Sequence, residues 1–390
     1  MNRNICLLIE TPLEKRDYDR FGIELLRKRG FNVAVLDLTE WLNPQYLKNY
    51  QPPDVVTYEA VVQIATIKAV ESFFEKNSDI FCFDFIRLYP KTAPLYKVLK
   101  KYKVKYAAFY SNCIPLVPSV KQNIVQSVLR RIKGLTWERI LSKLRYLYIN
   151  ANIESFQIPE LVLLGGQESV QSIPRYMQDI EKLWVHSFDY DLYLKNKNSQ
   201  EKGAGKYIVY LDEFYPFHPD LMIYELPIPF IDAPKYYEGL CRLFEDIEEK
   251  TGWPVVIAAH PRSTYEALPD YFKGRKCERF KTIELVRDSS GVIAHSSTAI
   301  GFAALFKKPI LFCTNNELDQ SMFGSLIANY AEEFGKELHN MDSALNIEYK
   351  SELAINEQIY NGYVAKYIKK PGTPEKYYWD IVAEKFLSLS

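Results

Sequence analysis

The sequence predicts an α/β protein with two parallel β-sheets. Short apolar runs alternate with segments of helical periodicity in the first half of the chain, and the same alternation resumes after residue 200. Such alternation is typical of parallel sheets that carry helices on both faces. The length of 390 residues also favours two domains over one.

Five apolar runs in the first half are predicted strands, and the segments between them carry apolar residues at i, i+3 and i+4. The strands are NICLLIE, FNVAVLDL, DVVTY, DIFCFDF and KYAAFY, and DRFGIELLRKRG is a helical segment that ends at Gly30. In the second half, the predicted strands are KYIVYLDEF, WPVVIAAHP, GVIAHSS and KPILFCT, with YYEGLCRLFEDIEEKTG as an intervening helix.

The polar, glycine-containing stretch KNKNSQEKGAGK at 195–206 is typical of a linker. The predicted domains therefore span residues 1–195 and 206–370. In the remaining residues, 371–390, an N-cap at Thr373, a first-turn Pro374 and an amphipathic pattern predict a C-terminal helix.

The composition is that of an ordinary globular protein, and it excludes several classes of function. Basic and acidic residues balance at 49 each, which argues against a protein that coats nucleic acid. The six cysteines are scattered and include no Cys-x-x-Cys pair, so we expect reduced core cysteines instead of disulfides or a zinc site. Because the sequence shows neither a signal peptide nor a membrane-spanning segment, we expect a cytoplasmic protein.

Residues 121–149 form a basic segment with apolar residues at helical spacing. Its basic side chains far outnumber the single acidic one, Glu138; they include Arg130, Arg131, Lys133, Arg139, Lys143 and Arg145. A basic amphipathic helix pair could lie on the anionic inner face of the cell membrane, or receive an anionic acceptor. The alternative is a solvated basic face on ordinary packed helices.

Asp212 and Glu213 follow the predicted strand KYIVYL. The carboxyl ends of parallel strands open into the crevice that α/β folds use for ligands. Two adjacent carboxylates there could supply a general base, because crowding and desolvation raise a carboxyl pKa towards neutrality. The alternative is a solvated loop.

His260, Pro261 and Arg262 follow the strand PVVIAA in the same position. A histidine there can donate to a phosphate or protonate a leaving group, the proline fixes the turn, and the arginine adds a forked cation. His218 also precedes a proline, but it lies in a proline-rich loop, so we expect no direct role for it.

Ser296, Ser297 and Thr298 follow the strand Val292–Ala294 and precede a stretch rich in Ala and Gly. One hydroxyl would cap a helix that starts there, but three exceed that need. Together with the free N–H groups of a helix N-terminus, they form a predicted phosphate site. We expect His295, which continues the strand pattern, to be structural.

These three motifs, in this order and spacing, resemble the bacterial sialyltransferases of the GT-B type, whose signatures are D/E-D/E-G, HP and S-S/T. The resemblance covers mainly residues 205–315 and extends to the related Kdo and pseudaminic acid transferases. It implies two Rossmann-like domains that face a central cleft, with an acceptor-binding N-terminal domain and a nucleotide-binding C-terminal domain. In such folds the last helix commonly crosses back onto the first domain.

The resemblance implies an inverting glycosyltransferase that uses no metal or other cofactor. Such an enzyme moves a nonulosonic or ulosonic acid from a CMP-sugar to an acceptor. The acceptor would be a cell-surface glycan, such as capsule or lipooligosaccharide, or a lipid-linked glycan. Asp212 or Glu213 would then be the base. His260, with Pro261 and Arg262, would bind or protonate the CMP phosphate, and Ser296, Ser297 and Thr298 would bind it. One departure is Phe214, which stands where the family has Gly, so we expect the backbone there to lack the conformations that Gly permits.

Three alternatives stay open. The sequences HPR and HSSTAIGFAALFKKPILF also resemble UDP-GlcNAc 2-epimerases and teichoic-acid glycerophosphotransferases, which bind UDP-sugars and a cytidine nucleotide respectively. An epimerase would require more carboxylates, and an Arg near the N-terminal turn, than LLIETPLEKRDYD provides. The third alternative is a two-domain ligand-binding protein without catalytic activity.

Overall fold

The computed structural model describes residues 3–49, 52, 54–115, 144, 146–199, 205–218, 231–321 and 323–388. These residues form two compact units. The N-terminal unit comprises described residues of Met1–Asn112, Val120–His186 and Gly372–Ser390, and the C-terminal unit those of Cys113–Ser119 and Ser187–Pro371. Among the described residues, no helix has the length and apolarity needed to cross a membrane.

The N-terminal unit contains a seven-stranded parallel sheet in the order β3-β2-β1-β4-β5-β6-β7. Its strands are β1 (Asn4–Ile9), β2 (Asn32–Asp37), β3 (Val61–Gln63), β4 (Phe81–Asp84), β5 (Lys105–Tyr110), β6 (Leu161–Leu164) and β7 (Glu181–Trp184). Its helices are α1 (Lys15–Arg20), α2 (Ile23–Lys28), α3 (Thr39–Leu42), α4 (Pro44–Asn49), α5 (Ile67–Lys76) and α6 (Ala93–Lys101), with short 3₁₀ helices at Ile153–Ser155, Gln167–Ser172 and Arg175–Met177.

The C-terminal unit contains a six-stranded parallel sheet in the order β10-β9-β8-β11-β12-β13. Its strands are β8 (Ile208–Leu211), β9 (Val255–Ala259), β10 (Cys277–Arg279), β11 (Gly291–Ala294), β12 (Ile310–Thr314) and β13 (Leu338–Asn340). Its helices are α7 (Phe188–Asn196), α8 (Ala233–Thr251), α9 (Thr282–Asp288), α10 (Ile300–Leu305), α11 (Asn316–Gln320), α12 (Gly324–Glu333), α13 (Tyr349–Glu352) and α14 (Glu357–Tyr363), with 3₁₀ helices at Tyr215–Phe217 and Tyr265–Ala267 and a π-helix at Val364–Ile368.

The central strands of the second sheet are buried on both faces. Every residue of β8, β9, β11 and β12 is buried, as is typical of parallel strands covered by helices. In register, Val209 of β8 lies opposite Val256 of β9 and Val292 of β11. The sheet therefore fixes the relative positions of the segments that follow these three strands.

Helix α8 is the longest helix of this unit, and its ends show why it forms where it does. The Asp232 side chain accepts a hydrogen bond from the Lys235 N–H at 3.0 Å, and a proline lies in the first turn. The helix ends at Gly252, whose φ of +70° is accessible to glycine without strain. This helix packs its buried tyrosines, Tyr236 and Tyr237, against the sheet.

The last helix, α15 (Tyr378–Ser388), belongs to the N-terminal unit. The buried Trp379 donates its indole N–H to the Arg20 carbonyl oxygen at 2.7 Å, and Asp380 forms an ion pair with Arg29. The last segment of the chain, which follows the second unit, therefore belongs to the first unit. The helix begins at Tyr378, so the N-cap predicted at Thr373 is wrong. Thr373 is buried, but it lies in a non-helical stretch whose neighbouring residues are mostly exposed.

The fold class predicted from the sequence is confirmed: both units are α/β with parallel sheets. The predicted strand DVVTY is wrong, because Val55 is exposed and pairs only with Glu14 in an isolated bridge, while the edge strand lies at Val61–Gln63. The division between the units falls after His186, earlier than the predicted boundary at residue 195, because Tyr190 packs in an apolar cluster of the C-terminal unit.

The predicted basic segment 121–149 lies outside the described residues except for Leu144 and residues 146–149. These few residues are helical, and Leu144, Tyr146, Leu147 and Tyr148 are exposed. The proposed membrane or acceptor contact of this segment stays a prediction.

Candidate functional site

The three sequence motifs meet at one edge of the C-terminal sheet. Strand β8 lies between β9 and β11, and the chain runs from β8 to β9 on one side and later returns to β11 on the other. The boundary between β8 and β11 is therefore the topological switch point, where open α/β sheets bind their ligands. Asp212, His260 and Ser296 follow the carboxyl ends of these three neighbouring strands.

Asp212 connects the end of β8 to the loop after β9. Its Oδ2 accepts a hydrogen bond from the His260 N–H at 3.1 Å, and its Oδ1 accepts bonds from the Phe214 N–H and the Tyr265 hydroxyl, both at 3.0 Å. Burial raises the pKa of Asp212 to about 6, although these three donors oppose the shift. Asp212 therefore acts first as a buried anchor for the His260 backbone.

Glu213 connects the same strand to the opposite neighbour. Its Oε2 accepts a hydrogen bond from the Ser296 N–H at 2.9 Å, and its Oε1 accepts bonds from the Ser296 and Tyr215 hydroxyls, both at 3.0 Å. Burial of the carboxyl group is the main cause that raises its pKa to about 7, and the nearby Asp212 adds to the increase. Glu213 is thus close to half-protonated near neutral pH.

Phe214 adopts the backbone conformation that the sequence analysis excluded. Its φ of +53° and ψ of +32° lie in the left-handed region, where glycine is usual. The expectation that a Phe would prevent this conformation is wrong, because the surroundings hold it: Asp212 accepts the Phe214 N–H, and the buried ring contacts Phe217 and Tyr265. The loop therefore takes at Phe214 the left-handed backbone that glycine adopts without strain.

His260 lies at the end of β9 with its ring partly exposed. Its Nδ1 accepts a hydrogen bond from the Arg262 N–H at 3.2 Å, which leaves the proton of the neutral ring on Nε2. The ring of His218, for which the sequence predicts no direct role, lies beside it with 4.7 Å between the ring centroids. Pro261 is partly exposed and Arg262 is buried. This contact between the two histidine rings, whose planes are tilted by 52°, was not apparent from the sequence.

The serine motif differs in detail from the predicted helix cap. Helix α10 begins at Ile300, and its N-cap is Ala299, so Ser296 is not a cap. The buried Ser296 hydroxyl is instead hydrogen-bonded to Glu213 and Tyr215. The Ser297 hydroxyl accepts a hydrogen bond from the Ala299 N–H at 3.3 Å, and Thr298 is exposed. The backbone N–H groups of Ser297 and Thr298 have no acceptor in the part of the chain that the structure describes.

His295 is buried, and both of its ring nitrogens have partners. Its Nδ1 lies 2.6 Å from the Cys313 carbonyl oxygen, and its Nε2 lies 2.9 Å from the Tyr236 hydroxyl and 3.1 Å from that of Tyr210. Burial lowers its pKa to about 4, so the ring is neutral at physiological pH. These contacts agree with the structural role expected for His295.

Two tyrosines of the site were not found from the sequence. Tyr215 contacts both Glu213 and Ser296, and Tyr265 contacts Asp212 and the Tyr237 hydroxyl. Each follows a predicted motif by only a few positions, which is the signal that could have identified it. Among 29 tyrosines, most of which pack in cores, that signal was not selective.

One group of described residues has the composition of a metal site, and it lies apart from these motifs. The group consists of Glu337, which precedes β13, His339 of β13, and Glu352 of α13. Their ligand atoms lie within 4.8 Å of one another. In the part of the chain that the structure describes, Glu337 and Glu352 form no hydrogen bond with Asp212, Glu213 or Ser296.

The N-terminal unit has a switch point of its own, between β1 and β4. Glu10 follows β1, and its Oε2 accepts a hydrogen bond from the Tyr89 hydroxyl at 2.8 Å. Burial raises the pKa of Glu10, and the buried Asp84 at the end of β4 adds to that increase. Asp84 itself accepts the N–H groups of Ile86 and Arg87, which fixes the turn after β4.

The comparisons with known proteins identify the fold. No protein-family model and no curated protein matches the chain. Among solved structures, an S. aureus MnaA–UDP co-structure matches with a TM-score of 0.53 and 11% identity, covering 100% of this chain and 98% of that one. The calicheamicin glycosyltransferase CalG4 matches with a TM-score of 0.52 and 9% identity, over 100% and 98%. The chain therefore has the GT-B type of architecture, with two Rossmann-like domains.

Proposed function

We propose that the protein is a glycosyltransferase that takes its sugar from a nucleotide sugar and binds the nucleotide at the switch point of the C-terminal unit. The observation that carries this proposal is the convergence of the acidic pair, the His-Pro motif and the Ser-Ser motif through direct hydrogen bonds. Asp212 binds the His260 backbone, and Glu213 binds Ser296. The left-handed backbone at Phe214 strengthens the likeness to the D/E-D/E-G signature.

The groups available to a phosphate at this edge support the proposal. The N–H groups of Ser297 and Thr298 and the exposed Thr298 hydroxyl are all donors. Donors held in place before the reaction stabilise the negative charge that develops on a departing nucleotide. Every one of these groups belongs to the C-terminal unit.

The contacts of the two carboxylates do not single out one of them as the general base. Both Asp212 and Glu213 are engaged by three donors each, which reduces the availability of their lone pairs for an acceptor hydroxyl. Asp212 and Glu213 nevertheless stay the two candidates for this role, because burial raises the pKa of both towards neutrality.

Three classes of donor are in competition. The sequence motifs favour a CMP-sugar, and with it a nonulosonic or ulosonic acid. The S. aureus MnaA structure contains UDP, which favours a UDP-sugar, and the corresponding reaction would be a transfer or a 2-epimerisation. CDP-glycerol is the third donor that the sequence leaves open. The acceptor, and a cell-surface glycan as its class, rest on the sequence resemblance alone.

A thermal-shift screen of CMP, CDP, UDP and GDP tests the proposal. A ligand that binds only the folded state at a hundred times its Kd stabilises it by about 2.7 kcal/mol. CMP, UDP or CDP as the preferred ligand would select among the three donors. If none of the four nucleotides raises the melting temperature, the proposed function is wrong.

The matched variants are Ser297→Ala with Thr298→Ala, and Ser290→Ala as control. Ser290 precedes β11, so it lies at the opposite end of the same strand from the proposed phosphate site. We expect the double variant to bind the nucleotide more weakly, because a hydrogen bond to a charged group contributes about 1.5 to 3 kcal/mol. The control should bind it as the wild type does.

A further inference from the structure

Three oxygen atoms at the switch point form a closed triangle. The Tyr215 hydroxyl lies 2.6 Å from Ser296 Oγ, and each of these two oxygens lies 3.0 Å from Glu213 Oε1. All three distances are within hydrogen-bond range. Each side of the triangle needs one proton to become a hydrogen bond.

The number of protons in the triangle depends on the charge of Glu213. A serine and a tyrosine hydroxyl bring one proton each, and an ionised carboxylate brings none. With Glu213 ionised, two protons serve three contacts, and the negative charge draws both of them inwards. With Glu213 protonated, a third proton is present, and the Ser296 hydroxyl can donate outwards while the triangle keeps two bonds.

No cation compensates the charge of Glu213 among the described residues. The groups that interact with it electrostatically are Asp212 in its own loop, Tyr215 in the following turn, Cys313 of β12 and Tyr330 of α12. These groups are acidic or neutral. His295, which follows β11 and contacts the Tyr215 ring, is neutral at physiological pH. A phosphate at Ser296 would therefore place a second anion beside an uncompensated carboxylate.

We propose that binding of a nucleotide phosphate at Ser296 is coupled to uptake of one proton by Glu213. Glu213 is then a positioning residue, because its protonation state determines whether the Ser296 hydroxyl donates a hydrogen bond to the phosphate. This inference rests on the proposed function, since it takes the nucleotide site as given. The raised pKa of Glu213, about 7, means that the proton is available near neutral pH.

Calorimetric titration of the full chain with CMP and with UDP tests the coupling. Measurements at pH 8 in two buffers of different ionisation enthalpy give the number of protons taken up. For the wild type we expect close to one proton per nucleotide at this pH, and an affinity that falls towards tenfold per pH unit between pH 8 and 9. Glu213→Gln keeps an uncharged side chain of the same shape. It should take up about one proton fewer and lose this pH dependence.

The nucleotide's own phosphate also titrates, with a pKa of about 6. It does so equally for the wild type and the variant, so the difference between them isolates Glu213. Glu333→Gln is the matched control, because Glu333 also accepts a tyrosine hydroxyl, that of Tyr367 at 2.9 Å, but has Lys366 as an ion partner. This control should keep the wild-type proton uptake.

Tyr215→Phe gives a second measurement if Glu213→Gln fails to fold. Loss of a donor to the ionised carboxylate raises its pKa, so the decline in affinity should begin at a higher pH than in the wild type. Equal proton uptake by the wild type and Glu213→Gln, or an unchanged pH profile of Tyr215→Phe, would overturn the coupling while leaving the nucleotide site in place. Absence of binding by the wild type would refute the proposed function, and the coupling with it.

Discussion

Replacement of Glu213 by Gln should stabilise the protein at alkaline pH and leave its stability unchanged in acid. Burial raises the pKa of this carboxyl group from 4.5 to about 7. Because the folded state holds the proton more tightly than the unfolded state does, stability falls as the pH rises from about 4.5 to 7 and is then constant. Glutamine has no proton to lose and so escapes this decline.

The magnitude follows from the shift. Each unit of pKa corresponds to about 1.4 kcal/mol, so ionisation of Glu213 destabilises the fold by about 2 to 3 kcal/mol at pH 8, allowing for its partial exposure. For a unit of this size, that difference corresponds to a melting temperature about 4 to 12 °C higher in Glu213→Gln. At pH 5 the melting temperatures should differ little, because Glu213 is protonated in the folded state.

Melting temperatures of the wild type and the variant, measured in steps between pH 5 and 9, check the prediction. Glu333→Gln is the control, since it removes an ion pair with Lys366 at 2.8 Å and should not gain stability as the pH rises. A Glu213→Gln difference that is independent of pH would refute the reasoning, because it would show that the effect of the substitution does not come from the charge.

Three further substitutions test other parts of the fold. Asp212→Asn should lower the melting temperature, because one oxygen cannot accept from both the His260 and Phe214 N–H groups, and an unpaired buried donor costs about 1 to 3 kcal/mol; thermal unfolding measures it. Phe214→Gly should be more stable than Phe214→Ala by about 1 kcal/mol in urea unfolding, since both lose the ring but only glycine relieves the positive φ. Gly22→Ala should destabilise the N-terminal unit by more than about 2 kcal/mol in the same assay, because its Cβ would lie 2.2 Å from Trp379 Cδ1 at a φ of +58°.

The C-terminal sheet was predictable because its central strands are buried on both faces. Strands of that kind are continuous apolar runs, such as IVYL in β8 and ILFCT in β12, and each is followed directly by polar residues. The edge strands β3, β10 and β13 have three residues each and are partly exposed, so they carry no apolar run. Their positions depend on pairing with a neighbour, which a local pattern does not contain.

The sequence predicted which loops meet at the candidate site. Polar residues that directly follow buried parallel strands must lie at one edge of the sheet, so the sequence brought the three motifs together without any side-chain information. The individual bonds were not predictable. That Ser296 binds Glu213 and not the backbone of α10 depends on where that helix begins, and the participation of Tyr215 depends on the turn of the loop after Phe214.

The acidic pair has a physical reason to be a pair. Asp212 and Glu213 leave the end of the central strand β8 in different directions, and one binds the loop after β9 while the other binds the loop after β11. The chain makes no direct connection between those two loops, because β9 and β11 are not consecutive strands. Two adjacent carboxylates therefore hold the His-Pro and Ser-Ser motifs at a fixed separation across the switch point. A single acidic residue could bind only one of the two neighbours, and the left-handed turn at Phe214 then carries Tyr215 back onto Ser296 to complete the second connection.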